Sequence, residues 1–286
     1  MKIQFSHKRI RPLCLCALAI FLAWVIWGNT ALERTTYTIT DTRLPAPFNG
    51  FRIAQVSDLH NARMGTDNCR LLEMLESAEP DIIAITGDLI DSSRTDTETA
   101  LLFVEKALEI APCYYVTGNH EGWVSQERYR SLETRLTALG VTVLHDAQAL
   151  IDKDGAQISL IGIDDPDFAA VNGGGVGITM LPNRIQSLAA EGNFTVLLSH
   201  RPEYFTRYAA ANVNLVLSGH AHGGQFRLPF IGGLIAPNQG LFPEYDAGYF
   251  TENGTSMVVS RGIGNSIIPI RFCNRPELVV IELQTQ

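Results

Sequence analysis

Five times along this chain a short, β-rich apolar run ends and a side chain able to bind a metal ion follows at once. That recurrence constrains the fold more than any other feature. Asp58 and His60 follow the run at 51–57, Gly87 and Asp88 follow 81–86, and Gly118, Asn119 and His120 follow 113–117. His200 follows 194–199, and Gly219, His220, Ala221 and His222 follow 214–218. Runs of this kind read as buried strands. The carboxyl ends of parallel strands in an α/β sheet share one edge, where ligands bind, so the five loops are expected to converge on one site.

The chemistry of the set is coherent. Asp58 and Asp88 bring carboxylates, Asn119 an amide oxygen, and His60, His200, His220 and His222 imidazoles. Such a mixed oxygen and nitrogen set suits Mn, Fe, Zn or Co rather than calcium. The Asp58-x-His60 spacing points both side chains the same way from a strand end. Glycines at 87, 118 and 219 let the backbone turn sharply around the ions. Any one of these pairs alone is an ordinary loop; all five in this order are not.

The surrounding pattern is α/β. Further strands are expected at 158–163, 257–260 and 278–283, and helices at 67–78, 97–110, 126–139, 181–190 and 202–211. The early βαβαβ order implies a parallel core, and the close strand spacing late in the chain implies added antiparallel strands. Gly173 to Gly175 with Gly177 read as a surface loop, since no strand leads into them as a phosphate cradle requires.

Ahead of this domain, Lys2, Lys8, Arg9 and Arg11 precede an uncharged apolar run over 12–28. It reads as one hydrophobic helix with a basic leading flank. Its length is at the short end of the about 17–25 residues that span a bilayer, so a transmembrane anchor stands beside a cleaved signal peptide. Residues 29–31 match the small-residue cleavage rule poorly, which favours the anchor. The positive flank would keep the N-terminus in the cytoplasm and send everything after Thr30 outside, giving a single-pass protein of the cell membrane. The organisation expected is therefore a basic flank and transmembrane anchor (or signal peptide) over 1–30, a linker and entry to the domain over 31–50, and one large catalytic domain over 51–286.

With the four basic residues of the flank set aside, 18 Lys and Arg remain against 30 Asp and Glu. A domain this acidic lacks the cationic clusters that displace counterions from nucleic acid, so no nucleic acid partner is expected. It still admits a phosphorylated substrate if metal ions supply the positive charge. Cys69, Cys113 and Cys273 are scattered without a CxxC pair, which indicates neither a zinc knuckle nor a disulfide framework.

Taken together the loops resemble the calcineurin-like metallophosphoesterases. The family's Asp-x-His, Gly-Asp-x-x-Asp, Gly-Asn-His-Glu/Asp, lone His and Gly-His-x-His are matched by Asp58-Leu59-His60, Gly87-Asp88-Leu89-Ile90-Asp91, Gly118-Asn119-His120-Glu121, His200 and Gly219-His220-Ala221-His222. The membrane-associated YaeI/YkuE-like branch is the nearest in kind, through His222-Gly223-Gly224-Gln225, Ser260-Arg261-Gly262-Ile263-Gly264 and Arg275-Pro276-Glu277. The resemblance implies a four-layer α/β/β/α sandwich of two mixed sheets and two divalent metal ions along their upper edge. It assigns one ion to Asp58, His60, Asp88 and His222, and the other to Asp88, Asn119, His200 and His220, with Asp88 bridging. A hydroxide shared by ions about 3.5–4 Å apart would then attack phosphorus in line with the leaving group. His120 would protonate the leaving oxygen or bind the phosphoryl group, with Asp91 as its orienter in the family's manner. From the residues alone Asp91 is equally a helix cap or solvated loop acid, and Glu121 equally an orienting group or helix-end charge.

Other residues stay open. Arg261 either approaches the substrate phosphate or forms a structural ion pair. Phe226, Phe230, Phe242 and Tyr245 either line an apolar substrate wall or belong to the core. His7 and His145 match no motif, and His145 beside Asp146 reads as surface loop.

The function expected is a metal-dependent phosphoesterase, more narrowly a phosphodiesterase. A lipid-linked pyrophosphate hydrolase, such as one for UDP-2,3-diacylglucosamine, is the alternative, and its cytoplasmic substrate would sit poorly with an external domain. A non-catalytic membrane-tethered binding module is disfavoured because every motif is intact. The substrate expected is a phosphorylated small molecule or lipid, and the sequence does not speak to oligomeric state.

Overall fold

The computed structural model of the chain describes residues 7–174, 177–190 and 192–286. Helix α1 (His7–Thr30) comes first. Then follow β1 (Glu33–Thr40), β2 (Arg52–Val56), α2 (Cys69–Glu76), β3 (Ile82–Thr86), α3 (Thr97–Leu108), β4 (Cys113–Val116), α4 (Asn119–Trp123), α5 (Gln126–Leu139) and the short β5 (Thr142–Val143). The second half holds β6 (Ala147–Lys153), β7 (Ala156–Ile163), α6 (Pro166–Asn172), α7 (Leu181–Leu188), β8 (Phe194–Ser199), α8 (Phe205–Ala210) and β9 (Leu215–Ser218). Four two-residue strands follow, β10 (Arg227–Leu228), β11 (Gly232–Gly233), β12 (Ile235–Ala236) and β13 (Gly240–Leu241), before β14 (Gly248–Glu252), β15 (Thr255–Val259) and β16 (Glu277–Gln284).

Two six-stranded sheets result, ordered β1-β16-β2-β3-β4-β5 and β14-β15-β9-β8-β7-β6. Both are mixed. In the first, β16 runs antiparallel to β2 while the other pairs are parallel. In the second, β15, β9, β8 and β7 are parallel and the edge strands β14 and β6 are antiparallel.

Period-two alternation decides how the layers stack. On β3, Ile82 and Ala84 join a cluster with Leu160, Val196, Leu198 and Leu217 of the second sheet, while Ile83 and Ile85 face Leu71, Phe103 and Leu136 of α2, α3 and α5. The outer face of the second sheet, through Ile161, Leu197 and Val216, packs on Leu181, Ile185 and Phe205 of α7 and α8. Helix, sheet, sheet, helix is thus the order, the four-layer sandwich of two mixed sheets that the resemblance implied. Strands buried on both faces read as continuous apolar runs, which is why the central ones were legible. Helix α5 is equally plain: Ser125 caps it by accepting from the amide of Arg128, and Gly140 ends it at φ 105°.

The stretch 31–50 enters the domain directly: β1 pairs residue for residue with β16, and Phe48 is fully buried. The sheet therefore begins at Glu33. Among the described residues no helix is long and apolar enough to cross a membrane, so the N-terminal transmembrane helix is not established. Helix α1 instead touches the domain near its end: Trp24 meets Phe272 edge to face at 4.9 Å, and Arg275 lies 4.9 Å from the Trp27 ring centre. Lys2 and Gly175 lie outside the described residues.

Candidate metal centre

The seven residues picked as metal ligands come together at the carboxyl ends of β2, β3, β4, β8 and β9, and all are buried. Asp58, His60, Asp88, His220 and His222 have φ between 45° and 64°. Non-glycine residues seldom adopt this left-handed region, and strain of this kind collects at functional sites. Glycines make the crowding possible. A Cβ on Gly219 would lie 1.9 Å from Oγ of Ser57 and 2.3 Å from Oδ2 of Asp58. Gly87, at φ 87°, passes so near His200 that a Cβ would sit 2.5 Å from Nδ1.

Two clusters of donor atoms share one carboxylate. Asp58, His60, Asp88 and His222 form one; Asp88, His200 and His220 form the other, with Asn119 beside them. In the first, Nε2 of His60 lies 3.2 Å from Nε2 of His222 and 3.5 Å from Oδ2 of Asp88, and Nε2 of His222 lies 3.4 Å from Oδ1 of Asp58. In the second, Nε2 of His200 lies 3.2 Å from Oδ2 of Asp88, 3.1 Å from Oδ1 of Asn119 and 3.1 Å from Nδ1 of His220.

Asp88 sits between them in a particular way. Its Oδ1 accepts from the amide of His120 at 2.8 Å, which leaves Oδ2 to face both clusters. The ring of His200 is also fixed. Its Nδ1 lies 2.8 Å from the carbonyl of Thr86, which can only accept, so Nδ1 carries a proton and Nε2 is the atom turned toward Asp88 and Asn119.

The charge balance asks for cations. Burial pushes His60 and His222 down to about 3, so both are neutral and ready as ligands. Burial also works against a charged His200, yet Asp88 overrides it and holds that imidazole up at about 10. The Asp88 carboxylate thus favours positive charge beside its Oδ2. Buried donors of mixed oxygen and nitrogen type, converging within hydrogen-bond distance on a shared carboxylate, fit a pair of such ions.

Glu121 proves to be the brace of the centre. Its buried carboxylate accepts from the amides of Asp88 (2.9 Å), Gly118 (2.7 Å) and Ile90 (3.2 Å), tying the β3 loop to the β4 loop. Burial, with Asp88 nearby, raises it to about 7.

His120 stands at the mouth, its ring centre 4.5 Å from that of His60. Its Nδ1 accepts from the amide of Ser92 at 3.0 Å, which in the neutral ring puts the proton on Nε2, 3.0 Å from Oγ of Ser266. Asp91, expected as its orienter, lies within 4.8 Å of the imidazole, but its hydrogen bonds go to the amides of Ser93 and Arg94 and the hydroxyl of Ser93. It caps the turn that presents the Ser92 amide. Arg261 is engaged in the ion-pair alternative, 2.9 Å from both Glu33 and Glu277, and does not line the mouth.

A cleft of about 290 Å³ opens over the centre, walled by Trp123, Ile235, Ala236, Pro237, Ile267 and Ile268, with Ser266 at His120. Of the two readings left open for Phe226, Phe230, Phe242 and Tyr245, the substrate wall is not the one this cleft shows. Phe230 and Phe242 point to solvent and Tyr245 packs against Phe205 and Phe250. His145 is no loose surface residue, since Asp164 (2.8 Å) and Glu133 (3.1 Å) hold it. Ser266 was missed because nothing local marks it; it lies 146 positions from His120.

Comparison with known proteins agrees with this site. The family model for calcineurin-like phosphoesterases matches residues 51–224. The metallophosphoesterase YkuE of Bacillus subtilis is 34% identical over 268 residues, covering 89% of this chain and 86% of that one. The phosphodiesterase YaeI of Escherichia coli is 28% identical over 242 residues, covering 82% of each. A bovine transmembrane protein with metallophosphoesterase domain is 31% identical over 87% of this chain, which spans 56% of its length. Among solved structures, the sulfate thiohydrolase SoxB of Thermus thermophilus aligns with TM-score 0.50 at 15% identity, over 84% of this chain and 57% of that one, a likeness of fold. The chain belongs to the calcineurin-like phosphoesterase family and is a metal-dependent phosphoric ester hydrolase with a buried site for two divalent ions.

Proposed function

We propose that this hydrolase is a phosphodiesterase. One ion would be held by Asp58, His60, Asp88 and His222, the other by Asp88, Asn119, His200 and His220. The observation that carries the two-ion reading is the position of Oδ2 of Asp88 between the clusters, 3.5 Å from His60 and 3.2 Å from His200. When bound, such a pair supplies Lewis acidity and an activated water.

The remaining steps belong to the chain's own groups. Glu121 and the His120 amide fix the Asp88 carboxylate. His120 presents a proton on Nε2 to the mouth, where it can reach a leaving oxygen, since Ser92 occupies Nδ1. Asp91 acts on His120 through the Ser92 turn.

The test is hydrolysis of bis-p-nitrophenyl phosphate and p-nitrophenyl phosphate by the full chain in detergent, after chelation and then with added manganese, with metal content counted. Manganese-restored cleavage of the diester ahead of the monoester, with two ions bound, is expected. Two ions bound with neither ester cleaved would sink the phosphodiesterase reading.

A second reading, a lipid-linked pyrophosphate hydrolase acting on a molecule such as UDP-2,3-diacylglucosamine, is favoured by the apolar cleft walls, which suit an acyl or isoprenoid chain. Residues 1–30 would hold the chain at the cell membrane with the hydrolase domain outside the cytoplasm, a placement that counts against a nucleotide-linked substrate. Protease digestion of intact and lysed cells tests that topology.

A further inference from the structure

We propose that Asn29, next to the last residue of α1, is a positioning residue of the metal centre, acting through the Arg271 end of the loop that supports Asp58 and faces His120. The proposal rests on the hydrolase reading above and goes beyond it.

The side chain of Asn29 grips one residue at two points. Its Oδ1 accepts from the amide of Arg271 at 2.7 Å, and its Nδ2 donates to the carbonyl of Arg271 at 3.0 Å. The same Nδ2 donates to the carbonyl of Val25 at 2.7 Å, which seats the clamp in the last turn of α1. Arg271 lies outside any strand or helix, and among the described residues Asn29 is the partner its backbone has. An unpaired backbone group there would cost about as much as a lost hydrogen bond.

From that anchored backbone the Arg271 side chain crosses the loop. Arg271 is buried, and its guanidinium donates to the carbonyls of Arg261 (2.6 Å) and Gly264 (2.5 Å) and to Oδ1 of Asn265 (2.8 Å) and lies 3.4 Å from Nδ1 of His222. These bonds fix the guanidinium end of the side chain, and the Asn29 clamp fixes its backbone end.

What the loop then holds is the centre itself. The amide of Gly264 donates to the carbonyl of Asp58 at 2.7 Å, and the amide of Ile263 to that of Ser57 at 3.0 Å. Gly262 lies so close under Asp58 that a Cβ would meet its Cβ at 2.7 Å. Two residues past Gly264, Oγ of Ser266 meets Nε2 of His120. Asn29 thus fixes the end of α1 to the backbone beneath one ligand and to the neighbour of the proposed proton donor. On this reading α1 is part of the active-site scaffold.

The test uses the full chain in detergent with bis-p-nitrophenyl phosphate and manganese. Asn29→Ala is expected to lower kcat about tenfold and weaken the looser manganese site by a similar factor, the low end for outer partners of metal ligands. KM should stay within about twofold, because the cleft walls are untouched. Arg271→Lys should act the same way, and the double variant should lose little more than either single, since both act by one route. Asn29→Asp keeps the acceptor for the Arg271 amide and should recover part of the loss. Ile26→Ala, an exposed change one turn earlier, should be neutral. Wild-type kcat and manganese affinity in Asn29→Ala would overturn the proposal, as would losses that simply multiply in the double variant. An inactive wild-type chain would count against the phosphodiesterase reading instead.

Discussion

The floor and the walls of the same cleft are built on opposite principles. The floor is polar, buried and tied down: Asp88 and His200 each have a backbone partner that fixes which atom faces inward, and Asp58 accepts from the His220 amide through both oxygens and from the Ser57 hydroxyl through Oδ2. The walls are apolar and partly open, with Ile267 82% and Ile235 42% exposed, and they rest on two-residue strands and bends. Preorganised donors cost little to reorganise during reaction, whereas exposed apolar walls contact whatever substituent the phosphate carries. The floor therefore sets the reaction and the walls choose among substrates.

Breaking the floor should have the largest effect. Asp88→Asn keeps shape but removes the charge that both clusters share, so metal content and activity should fall together, by at least ~10²-fold, beyond what an outer partner costs. Parallel metal counting and diester turnover check this. Retained activity with one ion bound would mean the clusters do not share a carboxylate. His120→Asn comes next: metal content should hold while turnover falls by roughly 10²–10⁴, the usual worth of acid catalysis. Full turnover in that variant would remove His120 from the chemistry. Glu121→Gln should be milder. It turns an NH₂ toward one of the amides of Asp88, Gly118 and Ile90 that the carboxylate now satisfies. Metal affinity should weaken by about 10–100-fold, with turnover at saturating metal near wild type. A titration in which affinity stays put would deny Glu121 its bracing role.

The same contrast explains what could be read from the sequence. The floor was legible because each ligand follows a strand buried on both faces, and such strands announce themselves as unbroken apolar runs. Edge strands do not. β1 carries Thr and Tyr in half-buried alternation, and β6 exposes Gln148, Leu150 and Asp152 to differing degrees, so neither run stood out. Signals for hairpins were present all the same: Asp154-Gly155 and Asn253-Gly254, both pairs at positive φ, turn β6 into β7 and β14 into β15. The walls were illegible for a different reason. Ile235, Ile267 and Trp123 reach the cleft from elements of two to five residues or from bends, too short for any period. The role of Asp91 depended on a family habit, and here its Oδ1 accepts from the turn it caps while its Oδ2 meets the Arg94 guanidinium at 3.4 Å.

Sharpening the comparison needs a change that alters a wall and leaves the floor alone, and Ile268→Ser is the mildest that does so. Ile268 is 37% exposed, and its carbonyl already accepts from Gln225, so the backbone of the wall should hold its place. What is lost is apolar area facing the leaving group. At about 25 cal/mol per Å², losing most of a small aliphatic side chain's contact is worth about 1 kcal/mol, roughly fivefold in KM. The direction should depend on the substrate: KM should rise for bis-p-nitrophenyl phosphate and barely move for a diester with short polar arms. Metal content and kcat should stay near wild type, because no donor atom of the floor touches this side chain. A fall in kcat with unchanged KM would mean that the wall positions the reacting groups, and the division between floor and walls would have to be redrawn.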